Sequence, residues 1–318
     1  MSDVASIPLR LGTRGSPLAL AQAEEAKRRL GAAHPDLVAA DAIEIVVVKT
    51  TGDIEQKRRL AEIGGKGLFT KELEDALHDG RIDAAVHSMK DVPTWLPEGL
   101  TIPAMLPRVD PRDAWFSDHG DSIAALPAGS VVGSASLRRQ AQILAQRPDL
   151  KVVNFRGNLQ TRLRKLREGR VQATLLAMAG LDRMGMADKA TTVLATDELL
   201  PAVGQGAIGI ETRRDDTATL ARVAAVNHAE THRRVCAERA CLDVLDGSCR
   251  TPIGVLGELT PGDGFRLRAL VAEPDGTRIW RAERTGPVGD AEALARDAGA
   301  QLRAEAGEAF FEALADLF

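Results

Sequence analysis

The chain contains no tyrosine, and aromatic residues make up only 3% of its 318 residues. Its cores must therefore be built mainly from Ala, Leu, Val and Ile. Long apolar runs are also absent, since none approaches the roughly 20 residues that a membrane span needs. The first residues lack the basic start of a signal peptide. We therefore expect a protein without membrane contact, located in the cytoplasm.

Cysteine is scarce as well, and there is no excess of positive charge. The three cysteines, Cys236, Cys241 and Cys249, form an odd set within fourteen positions, which argues against a secreted disulfide framework. A net charge of −4 argues against a general nucleic-acid binder, which carries a basic excess on one face. Charged residues at 27% and hydrophobic residues at 44% are ordinary for a soluble globular protein, and the length allows two or three domains.

Strand and helix patterns alternate in the first third of the chain. Residues 7–13, 42–50 and 82–88 have the apolar, β-branched character of strands, and residues 17–30 and 67–80 have helical spacing. Such a βαβαβ series predicts a mostly parallel sheet covered by helices.

A proline-rich crossing at residues 101–113 predicts a hinge, after which the alternation begins again. Strands are predicted in "SVVGSAS", "KVVNFR" and "ATLLAM", and each is followed by a predicted helix, in "LRRQAQILAQ", "NLQTRLRKLREG" and "AGLDRMG". Ser16, Ser136 and Asn158 stand at predicted helix N-caps. A further strand is predicted in "AIGIETR", and we expect it to return to the first unit.

The C-terminal part follows a different pattern. A helix is predicted from Asn227 to about Leu245, followed by strands in "IGVLGEL", "FRLRALVAE" and "TRIWRAERT" and by a final Ala-rich helix. "EPDG" between the last two strands is a hairpin turn signal. The sequence therefore predicts two α/β domains with a mostly parallel sheet each, plus a small C-terminal α+β domain with an antiparallel sheet.

One strand pattern ends abruptly in polar residues. Residues 82–93 are "IDAAVHSMKDVP", in which the apolar run ends in His87, Ser88, Lys90 and Asp91 and Pro93 prevents further pairing. Loops past the carboxyl ends of strands hold ligand groups in open α/β sheets. A carboxylate among cations stays ionised, so Asp91 suits stabilising a cation or orienting an N–H group. The alternative is a turn aspartate paired with Lys90.

Basic residues recur at strand ends and helix starts in both α/β units. Each of them alone would be an ordinary solvated charge, but their shared position predicts one cleft for an anion with several carboxylates or phosphates. Helix N-termini at the same edges favour the same kind of ligand. The cations are Arg14, Lys66, Lys90, Arg138, Arg139, Arg156, Arg162 and Arg183.

Three further motifs each have a functional and a structural interpretation. Cys249 lies in the loop "DGSCRTPIG" beside Arg250, which favours a reactive thiolate, whereas the two helical cysteines suit a core. The segment "GQGAIG" at 204–209 has nucleotide-loop spacing but lacks the preceding strand and following helix, so tight turns are the better account. His228, His232 and Cys236 share a helix face, yet no zinc motif accompanies them, and we predict no metal.

Blocks in the chain resemble, in order, those of the hydroxymethylbilane synthase family, also called porphobilinogen deaminase. They are "TRGSPLALAQA", "GGKGLFTKELE", "AVHSMKDVP", "DPRDA", "GSASLRRQ", "FRGNLQTRL", "AGLDRMG", "LPAVGQGAIGIE" and "GSCRTPIG". The resemblance implies three domains, of which the first two are similar to two-lobed periplasmic binding proteins and the second is inserted into the first. We place them at residues 1–106 with 201–224, at 107–200 and at 225–318.

The resemblance also implies the chemistry. The family joins four porphobilinogen molecules head to tail with release of ammonia, and then releases linear hydroxymethylbilane by hydrolysis. A dipyrromethane cofactor, bound as a thioether to Cys249, primes the chain. A monomer is expected.

Matching the family's blocks to this sequence position by position implies the site residues, and some of them have more than one expected role. The expected catalytic residues are Asp91, Lys90, Lys66 and Arg14. The expected cofactor-binding residues are Cys249, Ser88, Lys90, Asp91, Ser136, Arg138, Arg139, Arg156 and Gly157. The expected substrate-binding residues are Arg14, Ser16, Arg156, Arg162, Arg183 and Gln205.

Two alternatives belong to other functional classes. A two-lobed protein that binds an anionic solute without catalysis would have nearly the same fold, but it needs neither a loop thiol nor a third domain. A metal-dependent regulator would use His228, His232 and Cys236, and metal analysis of the purified protein would identify it.

Overall fold

The computed structural model describes residues 8–39, 41–50, 67, 69–245 and 251–316. Contacts divide the chain into two compact units. The first unit contains the described residues before 51 together with 67–108 and 207–232, and the second contains 109–206 and the described residues from 233 onward. The predicted boundaries of three domains stay a prediction.

The strands and helices are numbered in chain order. The strands are β1 (Leu9–Arg14), β2 (Ile43–Val48), β3 (Ala84–Ser88), β4 (Leu100–Met105), β5 (Asp113–Ser117), β6 (Val131–Gly133), β7 (Lys151–Val153), β8 (Ala173–Ala177), β9 (Thr192–Val193), β10 (Ile208–Arg213), β11 (Ile253–Thr260), β12 (Gly264–Ala272) and β13 (Ile279–Pro287). The helices are α1 (Pro17–Ala33), α2 (Lys71–His78), α3 (Leu137–Gln146), α4 (Leu159–Arg167), α5 (Met178–Arg183), α6 (Thr217–Ala224), α7 (Ala229–Val244), α8 (Ala291–Ala306) and α9 (Glu308–Asp316).

The sheet of the first unit has the order β2-β1-β3-β10-β4. β1 runs parallel to β2 and β3, whereas β10 lies antiparallel between β3 and β4. The prediction that "AIGIETR" returns to the first unit is therefore confirmed. One face of the sheet is covered by α1, which buries Ala23, Ala26 and Leu30 completely because they recur at helical spacing.

The predicted hinge at residues 101–113 is wrong in its first half, because β4 occupies Leu100–Met105. Proline usually excludes a central strand, and β4 is an edge strand. The pairing of β4 with β10 is irregular around Ile102 and Pro103, where the register shifts between Ile210 and Thr212. The missing N–H of the proline therefore falls where the ladder is already interrupted.

The second unit contains two sheets. The first has the order β7-β6-β8-β5-β9, in which β6 is parallel to β7 and β8 while β5 runs antiparallel. The second is the antiparallel sheet β11-β12-β13, whose inner face packs on α7, α8 and α9 through a core that includes Phe265, Leu267 and Trp280. The predicted fold class is confirmed.

Three local expectations need correction. The final helix is two helices, because Gly307 interrupts it with a φ of +82°. α1 extends three residues beyond the predicted end, to Ala33. The short strands β5 and β9 and the helix α6 were not predicted, since each is brief and lies in a polar or proline-rich stretch.

Candidate active site

Two parallel strands of the first unit bring polar side chains to one edge. β1 ends at Arg14, and β3 ends at Ser88. A 3₁₀ turn over Met89–Asp91 follows β3 directly. The carboxyl ends of parallel neighbours meet at the same edge of a sheet. A small pocket opens there. Its lining comprises Arg14, Ala19, Gln22, Phe69, Thr70, Val86, His87, Ser88 and Asp91.

Arg14 and Asp91 form the charged pair of this pocket. The Nη1 of Arg14 lies 3.9 Å from Oδ2 of Asp91, and the side chains are 21% and 29% exposed. The guanidinium also stacks over the ring of Phe69, 4.1 Å from its centroid. The carboxylate of Asp91 is thus partly desolvated and still open to the pocket. Lys90, on the same turn, is exposed.

Gln22 was missed by the sequence analysis. Its Nε2 lies 2.8 Å from Oγ of Ser88, and the residue is 4% exposed. Gln22 lies among the buried alanines of α1, so an amide at a core position was the available signal. Buried amides need partners, and the pocket supplies Ser88.

The predicted helix N-caps are confirmed in both units. Ser16 Oγ accepts a hydrogen bond from Ala19 N at 3.2 Å, Ser136 Oγ from Arg139 N at 3.4 Å, and Asn158 Oδ1 from Thr161 N at 2.9 Å. Before Asn158, Gly157 has a φ of +132°, which favours glycine. A Cβ at Gly157 would also meet the Thr161 side chain.

Arg138 and Arg139 lie deep in the second unit rather than on its surface. Arg138 Nη2 donates to Asp113 Oδ2 at 2.8 Å, and Arg139 Nη2 donates to Asp113 Oδ1 at 2.6 Å. Gln205 Nε2 donates to the same carboxylate at 3.0 Å. Asp113 is fully buried, and the two guanidiniums hold its pKa far below the usual range despite the opposing effect of burial. The predicted ligand roles of the two arginines stay predictions.

Positive charge is in excess around this cluster. Two buried guanidiniums face one carboxylate, and the Nε atoms of Arg138 and Arg139 are buried without a hydrogen-bond partner in the described part of the chain. Nearby Arg162 has its pKa lowered to about 10 by burial and by the charges of Arg139 and Arg156. Arg162 also donates from Nε to the Gly157 carbonyl at 2.9 Å. Incomplete neutralisation of this kind favours an anionic ligand.

Asp113 should be essential for the stability of the second unit. In Asp113→Asn two buried guanidiniums lose their counter-charge, and we expect the free energy of unfolding to fall by about 3–5 kcal/mol. Urea titration at neutral pH measures this loss. The pKa of Asp113 is lower in the folded protein than in the unfolded chain. Its contribution to the free energy of unfolding is therefore fully present above the unfolded pKa, and it is lost as the pH falls through the folded pKa. Asp110→Asn, at a partly exposed pair with Arg112, is the matched control. A wild-type urea midpoint for Asp113→Asn would contradict the account.

Arg183 and the segment 204–209 belong together. Arg183 Nη2 donates to the Gly206 carbonyl at 3.1 Å. Gly206 has a φ of +91°, and a Cβ there would meet the Val109 carbonyl oxygen at 2.6 Å. The glycines therefore serve tight turns and close backbone approach rather than a nucleotide, as the sequence indicated.

Two predicted site residues, Lys66 and Cys249, lie outside the described residues. Of the other cysteines, Cys241 is buried and Cys236 is half-buried. Burial is the main cause that raises the pKa of Cys236 to about 11 and that of Cys241 to about 12. Both thiols are therefore held in the unreactive protonated form at neutral pH.

The histidines of the metal alternative have protein partners. His228 Nδ1 lies 2.9 Å from Thr231 Oγ1, and His232 Nδ1 lies 3.1 Å from Asn227 Oδ1. Within the described ranges, no group of three His, Cys, Asp or Glu residues is arranged to hold a metal ion.

The described part of the chain also has no helix with the length and apolar character needed to span a membrane.

Family models match most of the chain. The model described as "Porphobilinogen deaminase, dipyromethane cofactor binding domain" matches residues 9–221. The model described as "Porphobilinogen deaminase, C-terminal domain" matches residues 232–304.

Relatives of similar length support the same assignment. The chloroplastic porphobilinogen deaminase of Oryza sativa subsp. japonica is 57% identical over 309 residues, covering 96% of this chain and 86% of the relative. The porphobilinogen deaminase of Nitrobacter winogradskyi is 55% identical over 310 residues, covering 98% of this chain and 97% of the relative. Among solved structures, the periplasmic VFT2 domain of Bordetella pertussis BvgS has 16% identity and a TM-score of 0.40, covering 69% of this chain and 86% of that domain.

Proposed function

The chain belongs to the porphobilinogen deaminase family, and on this premise we propose that it is a hydroxymethylbilane synthase. It condenses four porphobilinogen molecules head to tail, releases one ammonia at each condensation, and then frees the linear product by hydrolysis. The structural observation that carries this proposal is Asp91, a partly desolvated carboxylate at the edge shared by β1 and β3. A carboxylate that stays open to a pocket suits a reaction that passes through a cation.

Asp91 stabilises developing positive charge. An aminomethylpyrrole that loses ammonia becomes an electrophilic azafulvene whose cationic form needs a nearby anion. The Asp91 carboxylate supplies that charge and accepts a hydrogen bond from the pyrrole N–H. Arg14, 3.9 Å away and stacked on Phe69, holds the carboxylate on the pocket side of the turn.

The cations bind substrate carboxylates. Each pyrrole carries an acetate and a propionate, so porphobilinogen is a dicarboxylate. Lys90 and Arg14 supply positive charge in the first unit, with the Ser16-capped end of α1 beside Arg14. Lys66 is assigned the same role from the sequence alone. In the second unit we assign substrate carboxylates to Arg156, Arg162 and Arg183 and give Gln205 a supporting role.

The second unit suits a resident anionic cofactor. The matching family model is named for a dipyrromethane cofactor, which when bound supplies the nucleophilic pyrrole that starts the chain. Arg138 and Arg139 carry more positive charge than Asp113 neutralises, which fits a group rich in carboxylates. We assign its binding to these arginines with Ser136, Arg156 and Gly157, to Ser88, Lys90 and Asp91 in the first unit, and to a thioether at Cys249.

Location and assembly are further parts of the proposal. We propose a cytoplasmic monomer whose small-molecule partner is porphobilinogen. No nucleic-acid or membrane partner is proposed. The boundaries of the three domains given above are proposed as well.

Turnover separates the synthase from a solute-binding protein of similar fold. Purified protein is incubated with porphobilinogen, and both porphobilinogen loss and ammonia release are followed over time. We expect sustained consumption with one ammonia per porphobilinogen. Saturable binding of porphobilinogen without ammonia release would favour the binding protein instead.

A further inference from the structure

A buried imidazole–carboxylate pair lies behind the turn that carries Asp91. His87 Nε2 lies 2.9 Å from Glu211 Oε2, and the side chains are 3% and 0% exposed. The roles proposed for Asp91, Lys90 and Arg14 leave this pair without a function. Burying two titratable groups is costly unless they pair, so their presence so close to the pocket calls for a reason.

The strand register brings the two residues together. β3 and β10 are antiparallel, with His87 opposite Gly209 and Ala85 opposite Glu211. Side chains of alternate residues share one face of a sheet, so His87 and Glu211 are diagonal neighbours on the same face. Met89 of the 3₁₀ turn packs over Gly209, where a Cβ would collide with the Met89 sulfur. The pairing of β3 with β10 therefore holds His87 beside Glu211 and also anchors the turn that carries Asp91.

A second carboxyl group lies close to the pair. Glu74 of α2 is 6% exposed, and its pKa is raised, first by burial and also by the charge of Glu211. The Oε1 of Glu211 is buried without a hydrogen-bond partner among the described residues. A purely structural pair would be expected to use both oxygens of a buried carboxylate. The arrangement instead places two buried carboxyl groups close to one imidazole.

His87 borders the pocket, and one nitrogen of its imidazole is paired with Glu211. His87 is among the residues that line the pocket with Arg14, Ser88 and Asp91. When the Nε2 hydrogen is donated to Glu211 Oε2, Nδ1 is the basic nitrogen of the ring. In the described part of the chain, the bond to Glu211 is the one side-chain hydrogen bond of the His87 imidazole. An oriented imidazole with one basic nitrogen is the arrangement of a proton acceptor.

We propose that His87, oriented by Glu211, accepts the proton released at each condensation. The inference rests on the proposed function. When the free α-carbon of the terminal pyrrole joins the next unit, its C–H bond breaks and the electron pair restores the aromatic ring. The proton passes to Nδ1 of His87, and the Glu211 carboxylate stabilises the imidazolium. The ammonia released in the same cycle then takes the proton and leaves as ammonium, so atoms and charge balance.

His87→Gln is the primary test because it separates proton transfer from structure. The glutamine amide can still donate to Glu211, so the melting temperature should stay near that of the wild type. An amide cannot accept the proton, so we expect kcat to fall by about 10²-fold or more, with KM changed little. His34→Gln is the matched control, since His34 is bonded to the Arg222 carbonyl in the same unit and has no role in the reaction.

A second variant addresses folding directly. In His87→Leu/Glu211→Leu both polar partners are gone, so no buried group is left unpaired, and the double variant should be more stable than His87→Leu alone. Its kcat should nevertheless stay as low as that of His87→Gln. A structural pair would instead regain activity together with stability.

Porphobilinogen deuterated at its free α-carbon provides the decisive measurement. Slow proton removal should expose a primary isotope effect on kcat in both His87 variants, larger than in the wild type and in His34→Gln. Intact mass first verifies that every variant carries the same cofactor load as the wild type. Wild-type kcat, or an unchanged isotope effect, in His87→Gln would overturn the inference. Failure of the wild type to consume porphobilinogen would instead overturn the proposed function and the inference with it.

Discussion

Asp91→Asn is expected to slow porphobilinogen consumption by roughly 10²–10³-fold while the protein stays folded. The amide keeps the size of the side chain and can still accept a hydrogen bond, but it offers no charge to the azafulvene cation. Asp91 is 29% exposed and belongs to an ion pair of 3.9 Å, so its loss should cost little stability. Steady-state rates and melting temperature on the same preparation measure both effects.

Asp79→Asn is the matched control for Asp91→Asn. Asp79 also pairs with an arginine, Arg81, but both side chains are more than half exposed, and the pair ends α2 rather than lining the pocket. Its rate should equal that of the wild type. A fully cofactor-loaded Asp91→Asn that keeps near-normal rates would remove Asp91 from the mechanism.

Cys249→Ser is expected to abolish covalent cofactor attachment. A thiolate adds to the electrophilic azafulvene to form a thioether, which thiol exchange does not cleave, whereas a serine hydroxyl is a far weaker nucleophile near neutral pH. The denatured intact mass of protein purified from cells measures attachment. The variant should have its sequence mass, and the wild type should carry the added mass of two deaminated porphobilinogen units.

Cys236→Ser controls for the loss of a thiol as such. Burial raises the pKa of Cys236 to about 11, so this thiol has almost no thiolate at neutral pH. Its variant should carry the same added mass as the wild type. Equal loss of the cofactor from both variants would indicate a folding defect instead of an attachment site.

Local sequence signals predicted the edge of the first unit well. Helix N-caps such as Ser16 depend on contacts within three residues, and Ser88 and Asp91 follow an apolar strand directly. The parallel pairing of β1 with β3 follows from the βαβ order. Position along the chain was therefore enough to bring Arg14 and Asp91 to the same edge.

The contacts that could not be predicted from the sequence join residues far apart along the chain. Asp113 meets Arg138, Arg139 and Gln205 across 25 to 92 residues of chain, and no local pattern distinguishes a buried arginine from a surface one. The same holds for His87 and Glu211, which meet across 124 residues. In β4, prolines masked a strand because the edge position and the irregular pairing that tolerate Pro103 are properties of the whole sheet.

The most direct test of stepwise condensation is the intact mass of wild-type protein after brief exposure to a few equivalents of porphobilinogen. Denaturation stops the reaction and keeps covalently bound intermediates on the chain. The account predicts a ladder above the primed protein, spaced by one deaminated porphobilinogen unit and ending at four additions. A single mass that porphobilinogen leaves unchanged would contradict it.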